Sequence, residues 1–344
     1  MHTTVIIPYL PRDDHSTLCW TLEGFAGQTL VNGHSMDILV GVDGGDGPLE
    51  VPLPSFARIA VHHFPHVGAA AVRNALLAKT TAETDLIVFG NADARAEPDM
   101  VQRHADSMAR LPPRSMVLGA APWERSDDPS VFDTLIDQAP MIFSYCHMKP
   151  HCLYPFRCAY TLNLSVRRED FFSAGGFPEE VRPVFYEDLA LGYRVMGPDR
   201  DGVLFEPAAR VLHRHPLTLD AYLDREELMG IMAPVLARVC PEAFAVLMAH
   251  RDVEQIAADF CKRSAADTTV YRQLYGRFRD LEKTSHTTLG VGDERAKKVL
   301  NLFKVHIPLK LTAFRRGFLR GMELRDDARW EERRAMGLWR EAIL

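Results

Sequence analysis

The sequence predicts an α/β fold: a mixed, mostly parallel sheet flanked by helices, with a helical C-terminal extension. Three observations predict it. Short β-branched runs alternate with helical patterns over the first 120 residues, the signature of a layered parallel sheet. Polar and glycine-bearing turns follow the ends of several runs, as at Asp43-Gly-Gly45 and Gly90-Asn-Ala-Asp93. After about residue 219 strand signals vanish and helical periodicity runs on. The expected division is an α/β domain at 1–218 and a helical region at 219–344.

In order along the chain, residues 4–8 (Val, Ile, Ile, then Pro8) read as a buried first strand. Apolar residues at helical spacing follow from Leu18 to Leu30. A second strand at 36–43 ends on Asp43-Gly-Gly-Asp-Gly47, a strong turn signal. Arg58–Phe64 reads as a third strand and the alanine-rich Val67–Ala78 as a helix. Residues 85–90 form a fourth strand, and Pro98 opens a helix in a first-turn position. Met116–Ala120 is a fifth strand. The stretch 122–160 reads as a long irregular loop, a feature that in compact domains is usually functional. Thr161–Arg167 alternates as a strand, and 169–174 is a short helix stopped by Gly175-Gly176. A helix over 187–195 and two short strands, 203–205 and 210–213, complete the first region.

Composition is ordinary for a globular protein, with 47% hydrophobic and 25% charged residues. The net charge of −6 argues against a general nucleic-acid binder. No stretch reaches the roughly 18 uninterrupted apolar residues of a membrane span. The N-terminus enters a strand at once, without a basic segment or apolar signal core, so a cytoplasmic protein is expected. Cys146, His147, His151, Cys152 and Cys158 lack the paired spacing of a zinc site, and they read as a reduced loop.

The residues that carry chemistry sit where a parallel sheet presents ligands, at the carboxyl ends of its strands. Asn91 and Asp93 follow the fourth strand, and a carboxylate there can hold a divalent cation against nucleotide phosphates. Asp43 ends the second strand. Gly68, Arg73 and Asn74 lie in the alanine-rich helix, where glycine permits close approach and arginine can reach a base or phosphate. Glu187 and Asp188 open a helix, and His213 and His215 share a face if their strand stays regular. A G-x-G-x-x-G dinucleotide fingerprint after the first strand is absent.

In order and spacing, Thr4-Val-Ile-Ile-Pro-Tyr9, Ile38–Gly45, Gly68–Ala75, Asp85–Ala94, Tyr186-Glu-Asp-Leu189 and His213-Arg-His215 resemble the nucleotide-sugar glycosyltransferases of family 2, which have the GT-A fold. The resemblance spans residues 3 to about 215. It implies that Pro8, Tyr9 and Asp43 hold the nucleobase, commonly uracil. It also implies that Gly68, Arg73, Asn74 and Asn91 bind the rest of the donor. Asp93 and one of His213 and His215 would bind Mn²⁺ or Mg²⁺. Asp188 would be the catalytic base of an inverting transfer to a glycan, glycolipid or natural-product hydroxyl, with Glu187 orienting it. Gly175-Gly-Phe-Pro178 matches a further element of the family, and Asn163 with Arg167 its acceptor-side strand. The sequence departs from the pattern at Val42, Gly45, Asn91 and Ala94, where the family has Asp, Ser, Asp and often a further Asp. Fewer carboxylates weaken metal binding, so metal dependence is the property these departures put at issue. Two other readings are a non-catalytic scaffold on the same fold and a nucleotidyltransferase. Residues 8–16 lack the glycine-rich basic loop the latter needs.

From Arg295 to Arg320 there are eight Lys or Arg, no acidic residue, and interleaved apolar residues. Such a segment either lies on an anionic membrane or packs within the chain or against a second copy. Packing is the expectation, with Pro308 breaking any single long helix.

Overall fold

The computed structural model describes all residues except 12–14, 46–48, 50–57, 183–184, 251 and 326–344. Over the described residues the chain packs as two compact units, 1–122 with 149–214, and 123–148 with 215–325.

The first unit is built on one sheet. Its opening strands are β1 (His2–Tyr9), β2 (Ser35–Asp43) and β3 (Ile59–Phe64), with helices α1 (Ser16–Ala26) and α2 (Ala69–Leu77) between and after them. There follow β4 (Thr84–Gly90), a short β5 (Ala94–Ala96), α3 (Met100–Met108) and β6 (Met116–Ala120). Helix α4 (Val131–Gln138) belongs to the second unit. The chain then returns with β7 (Leu153–Tyr154), β8 (Asn163–Arg167), α5 (Arg168–Ser173), α6 (Glu187–Met196) and β9 (Val203–His213). The sheet order is β3-β2-β1-β4-β8-β6-β9-β5, with β7 on β9. The four strands β3, β2, β1 and β4 are parallel, whereas β8 runs antiparallel to both β4 and β6. This is the mixed, mostly parallel sheet flanked by helices that the sequence predicts.

The runs Val5–Ile7 and Leu86–Phe89 are fully buried, as strands covered on both faces must be. Because β1, β2 and β4 are parallel, Tyr9, Asp43 and the residues after Gly90 emerge at one edge. Asn163 opens the antiparallel β8 opposite Gly90 and so reaches the same edge.

Several local expectations are corrected. Residues 122–160 are not wholly irregular: Ser130 caps α4, its hydroxyl accepting from the Asp133 N–H while the Asp133 side chain returns to Ser130 N. That reciprocal cap is legible in Ser-x-x-Asp. The strands expected at 203–205 and 210–213 are one strand, and its pairing with β6 shifts register between Glu206 and Arg210. Pro207 lies in the shift, where a residue without an N–H cannot hold the ladder. Strand β9 also ends at His213, so it does not continue regularly to His215. Pro98 precedes Asp99, the N-cap of α3, rather than lying in its first turn. The expected turn at 43–47 is described only as far as Gly45.

The second unit is helical, with α4, α7 (Leu219–Val239), α8 (Pro241–Met248), α9 (Val253–Leu281) and α10 (Gly292–Arg325). Its core joins Phe132, Leu135, Tyr222, Phe278, Leu289, Leu309 and Ala313. Helices α7 and α10 approach closely at Gly317, where an added Cβ would stand 1.9 Å from the Glu227 carbonyl oxygen. Pro308 does not break α10. A proline removes one ladder bond, and packing of the flanking Leu309 and Ala313 in the core holds the helix across it. Within the basic segment, Lys298 pairs with Glu294, Lys310 with the buried Glu226, Arg315 with Asp267 and Arg316 with Glu227. Among the described residues, no helix is long and apolar enough to cross a membrane.

Candidate active site

The site lies in the first unit, at the edge where β1, β2 and β4 end. At β2, the Asp43 carboxylate is buried and accepts from two backbone N–H groups, Val67 at 2.7 Å and Gly68 at 3.0 Å. His66 Nδ1 stands 3.5 Å from the oxygen that accepts the shorter bond from Gly68. Asp43 thus closes the loop that leads into α2, and Gly68 takes φ +87° there, a conformation that favours glycine. Tyr9, at the end of β1, is buried, and its hydroxyl is hydrogen-bonded to His15 Nδ1.

Helix α2 carries Arg73 and Asn74 to the same end of the sheet. Arg73 is only 3% exposed. Its Nη1 donates to Glu187 Oε1 at 3.3 Å, its Nη2 donates to Asn91 Oδ1 at 3.2 Å, and its guanidinium lies 5.6 Å from the Phe177 ring centroid. Burial lowers the Arg73 pKa, and the carboxylates of Glu187 and Asp188 oppose that fall. Asn74 donates to the Phe177 carbonyl at 2.9 Å and to Glu179 at 3.0 Å, and accepts from Phe177 N–H at 3.0 Å. It braces the Gly175-Gly-Phe177 turn against α2.

That turn leads to α6. Phe185 and Tyr186 both have left-handed backbone, φ 77° and 68°. Consecutive aromatic residues rarely take it, and such conformations persist where surrounding structure holds them. They turn the chain so that Glu187 is buried beside Arg73 and Asp188 stands next to it, partly buried. The Asp188 carboxyl is pushed up to about 7, first by burial and then by the adjacent Glu187 charge. Arg73 and the N–H groups of Leu189 and Thr161 act in the opposite direction.

On the far side of β4, Asp93 Oδ2 lies 3.6 Å from His213 Nε2. Strand β5 brings them together: Ala94 pairs with His213, and the Arg214 N–H donates to the Asp93 carbonyl at 2.8 Å. A direct hydrogen bond would be shorter. Two ligands on one cation, each at about 2.1 Å and about 90–120° apart, stand roughly 3–3.6 Å from each other. One carboxylate oxygen and one imidazole nitrogen at this spacing fit a divalent ion. His215 is two residues further along the chain, the first residue of the second unit.

The sequence did not show the roles of the residues that hold this arrangement in place. Phe177 lies against Arg73, and the Thr161 N–H serves Asp188. Asn163, expected toward an acceptor, is fully buried: its amide donates to the carbonyls of Ala120 and Ala209, and its oxygen is paired with His104 Nε2 at 2.8 Å. Arg167 likewise donates to backbone carbonyls, among them Met108 at 2.6 Å. The buried His104 is pushed down to about 4 by burial, so the Asn163–His104 pair is neutral and structural. A histidine in an otherwise helical pattern gave no sign of it.

No family model and no curated protein matches the chain. Among solved structures it is similar in architecture to S. aureus TarS 1–349, with 11% identity, TM-score 0.47, and 94% of this chain and 92% of that one covered. The complex of TarS 1–349 with UDP gives 13% identity and TM-score 0.46, covering 99% and 89%. GalNAc-T7 with UDP, GalNAc and Mn²⁺ gives 13% identity and TM-score 0.45, covering 66% and 47%. The assignment of residues rests on the geometry above.

Proposed function

We propose that the chain is an inverting glycosyltransferase, moving a sugar from a nucleotide-diphosphate donor, a UDP-sugar, to a hydroxyl of a glycan, glycolipid or natural-product acceptor. The observation that carries this reading is Asp188: a carboxylate whose affinity for a proton is raised to about 7, at the rim of a sheet whose neighbouring strand ends carry Asn91 and Asp93. A base poised near neutral pH accepts a proton readily in the transition state and is largely ionised just above it.

In this reading Asp188 takes the proton of the acceptor hydroxyl as its oxygen attacks the anomeric carbon. The new C–O bond forms on the face opposite the departing nucleoside diphosphate, whose bond to the sugar breaks with inversion. Glu187 holds Asp188 in a negative neighbourhood that raises its basicity. Tyr9 and the loop held by Asp43 border the base position, and Asn91 meets the ribose. Asp93 and His213, with His215 two residues further along the chain, would hold Mn²⁺ or Mg²⁺. That ion supplies neutralisation of the charge developing on the leaving diphosphate.

The test is a thermal-shift panel of UDP-, GDP- and TDP-sugars with Mn²⁺, followed by donor turnover with and without candidate acceptors. Preferential stabilisation by one nucleotide is expected, because a ligand that binds only the native state stabilises it by mass action. Tight nucleotide binding with no donor turnover above a metal-only blank would favour a non-catalytic scaffold. No nucleotide binding at all would sink the reading.

A further inference from the structure

Arg73 is placed unlike a phosphate-binding arginine. Its side chain is buried and its fork is occupied by two protein acceptors on different elements, Glu187 Oε1 on α6 and Asn91 Oδ1 after β4. The Phe177 ring flanks it. Two atoms of this pair, Arg73 Nε and Glu187 Oε2, are buried without a hydrogen-bond partner among the described residues. Native proteins rarely leave such groups unmet, and they concentrate where arrangement serves function.

The chemistry of the Asn91 contact carries a consequence. Arginine only donates. Asn91 must therefore turn its oxygen toward Arg73, which leaves its NH₂ group facing away. The amide is fixed as a donor toward a ligand, suited to the lone pairs of a hydroxyl oxygen. An aspartate at this position would instead put a second carboxylate on Arg73, in competition with Glu187.

We propose that Arg73 is a positioning residue that fixes the orientation of the Asn91 amide toward a donor's ribose hydroxyl and, through the other arm of its fork, sets the Glu187–Asp188 pair, without itself touching the donor. This rests on the reading of Asn91 as a ribose contact and of Asp188 as the base. It differs from the expectation that Arg73 reaches the nucleobase or phosphate. The groups that face Asp188 are Glu187 on its own helix, Arg73 from α2, and the N–H groups of Leu189 and Thr161. Of these only Arg73 is cationic.

The test uses the full chain and three variants, Arg73→Gln, Arg73→Lys and Asn91→Asp. Carboxyl carbon NMR follows the titration of Asp188, and calorimetry with Mn²⁺ follows UDP binding. In Arg73→Gln the Asp188 titration moves to higher pH by at least half a unit and kcat falls at least tenfold. UDP affinity and donor KM stay within threefold. Arg73→Lys restores part of kcat. Asn91→Asp draws Arg73 from Glu187 and also moves the Asp188 titration upward, so it serves if the Arg73 variants do not fold. A tenfold or greater loss of UDP affinity in Arg73→Gln with the Asp188 titration unmoved would make Arg73 a donor ligand and overturn the proposal. An unmoved titration in Asn91→Asp would overturn it equally. If the wild-type chain binds no UDP, the functional reading fails, while the Asp188 titration still reports whether Arg73 sets the acidic pair.

Discussion

Asp93 and His213, 120 positions apart in the chain, face each other at 3.6 Å because the three-residue strand β5 pairs with the end of β9. Asp93 immediately precedes that strand, and His213 is the residue opposite its first position. Removing Asp93 or His213 should each lower Mn²⁺ affinity by tenfold or more, measured by calorimetry in the presence of UDP. His215→Ala should have the smaller effect, because β9 ends at His213 and its ladder does not fix His215. Unchanged affinity in both Asp93→Ala and His213→Ala would remove the metal from this site.

Asp188→Asn keeps the shape of the side chain and removes its capacity to take a proton. Transfer should fall by roughly 10²-fold or more, the usual worth of a general base, with UDP affinity unchanged within about twofold. Wild-type turnover in a single-turnover experiment, where chemistry limits, would exclude Asp188 as the base.

The pH dependence follows from the raised Asp188 carboxyl. Activity should rise with pH along a limb near 7, as the base ionises. Glu187→Gln removes the adjacent negative charge and should move that limb to lower pH. Stability has the opposite sign. Between the ordinary carboxylate range near 4 and about 7, the folded protein holds a proton that the unfolded chain has lost. Stability contributed by this group is therefore present below pH 4 and declines as pH rises to 7. Asp188→Asn should flatten that part of the denaturation-versus-pH curve, and a curve unaltered by the substitution would show that the carboxyl is not perturbed.

In the second unit, Gly317→Ala places a methyl group against the Glu227 carbonyl oxygen on α7. Forced separation of packed elements costs about 1–3 kcal/mol. Denaturant unfolding should show that loss, whereas Gly276→Ala, where nothing stands within 4 Å of an added Cβ, should be neutral or stabilising.

The basic segment of α10 should leave the protein indifferent to anionic vesicles. Lys298, Lys310, Arg315 and Arg316, half of its eight basic residues, already face carboxylates of the same unit, which lowers the charge it can present to a lipid surface. Co-sedimentation with such vesicles that is released by salt, and lost in Lys297→Gln with Lys304→Gln, would contradict this.

The parallel strands were legible in the sequence because each carries its own signal. Val5–Ile7 and Leu86–Phe89 are short apolar runs bounded by turns, and because β2 and β4 both run parallel to β1, their ends place Asp43, Asn91 and Asp93 on one rim. The capping box of α4 was equally local, and its Ser130 and Asp133 were open to reading. What the sequence could not determine is which charge meets which. Arg73 stands on a helix whose pattern suits a solvated or ligand-facing charge, and only the packing of α2 against the Phe177 turn buries it between Asn91 and Glu187. Asn163 reads as a rim residue, and only the register of β8 between β4 and β6 encloses it with His104. The three residues of β5 are too few for a periodic signal, yet their pairing decides the position of Asp93 relative to His213. Periodicity reports the face a residue turns to its own element. Electrostatic partners are chosen by contacts between elements far apart in the chain, and those exist only once the sheet is assembled.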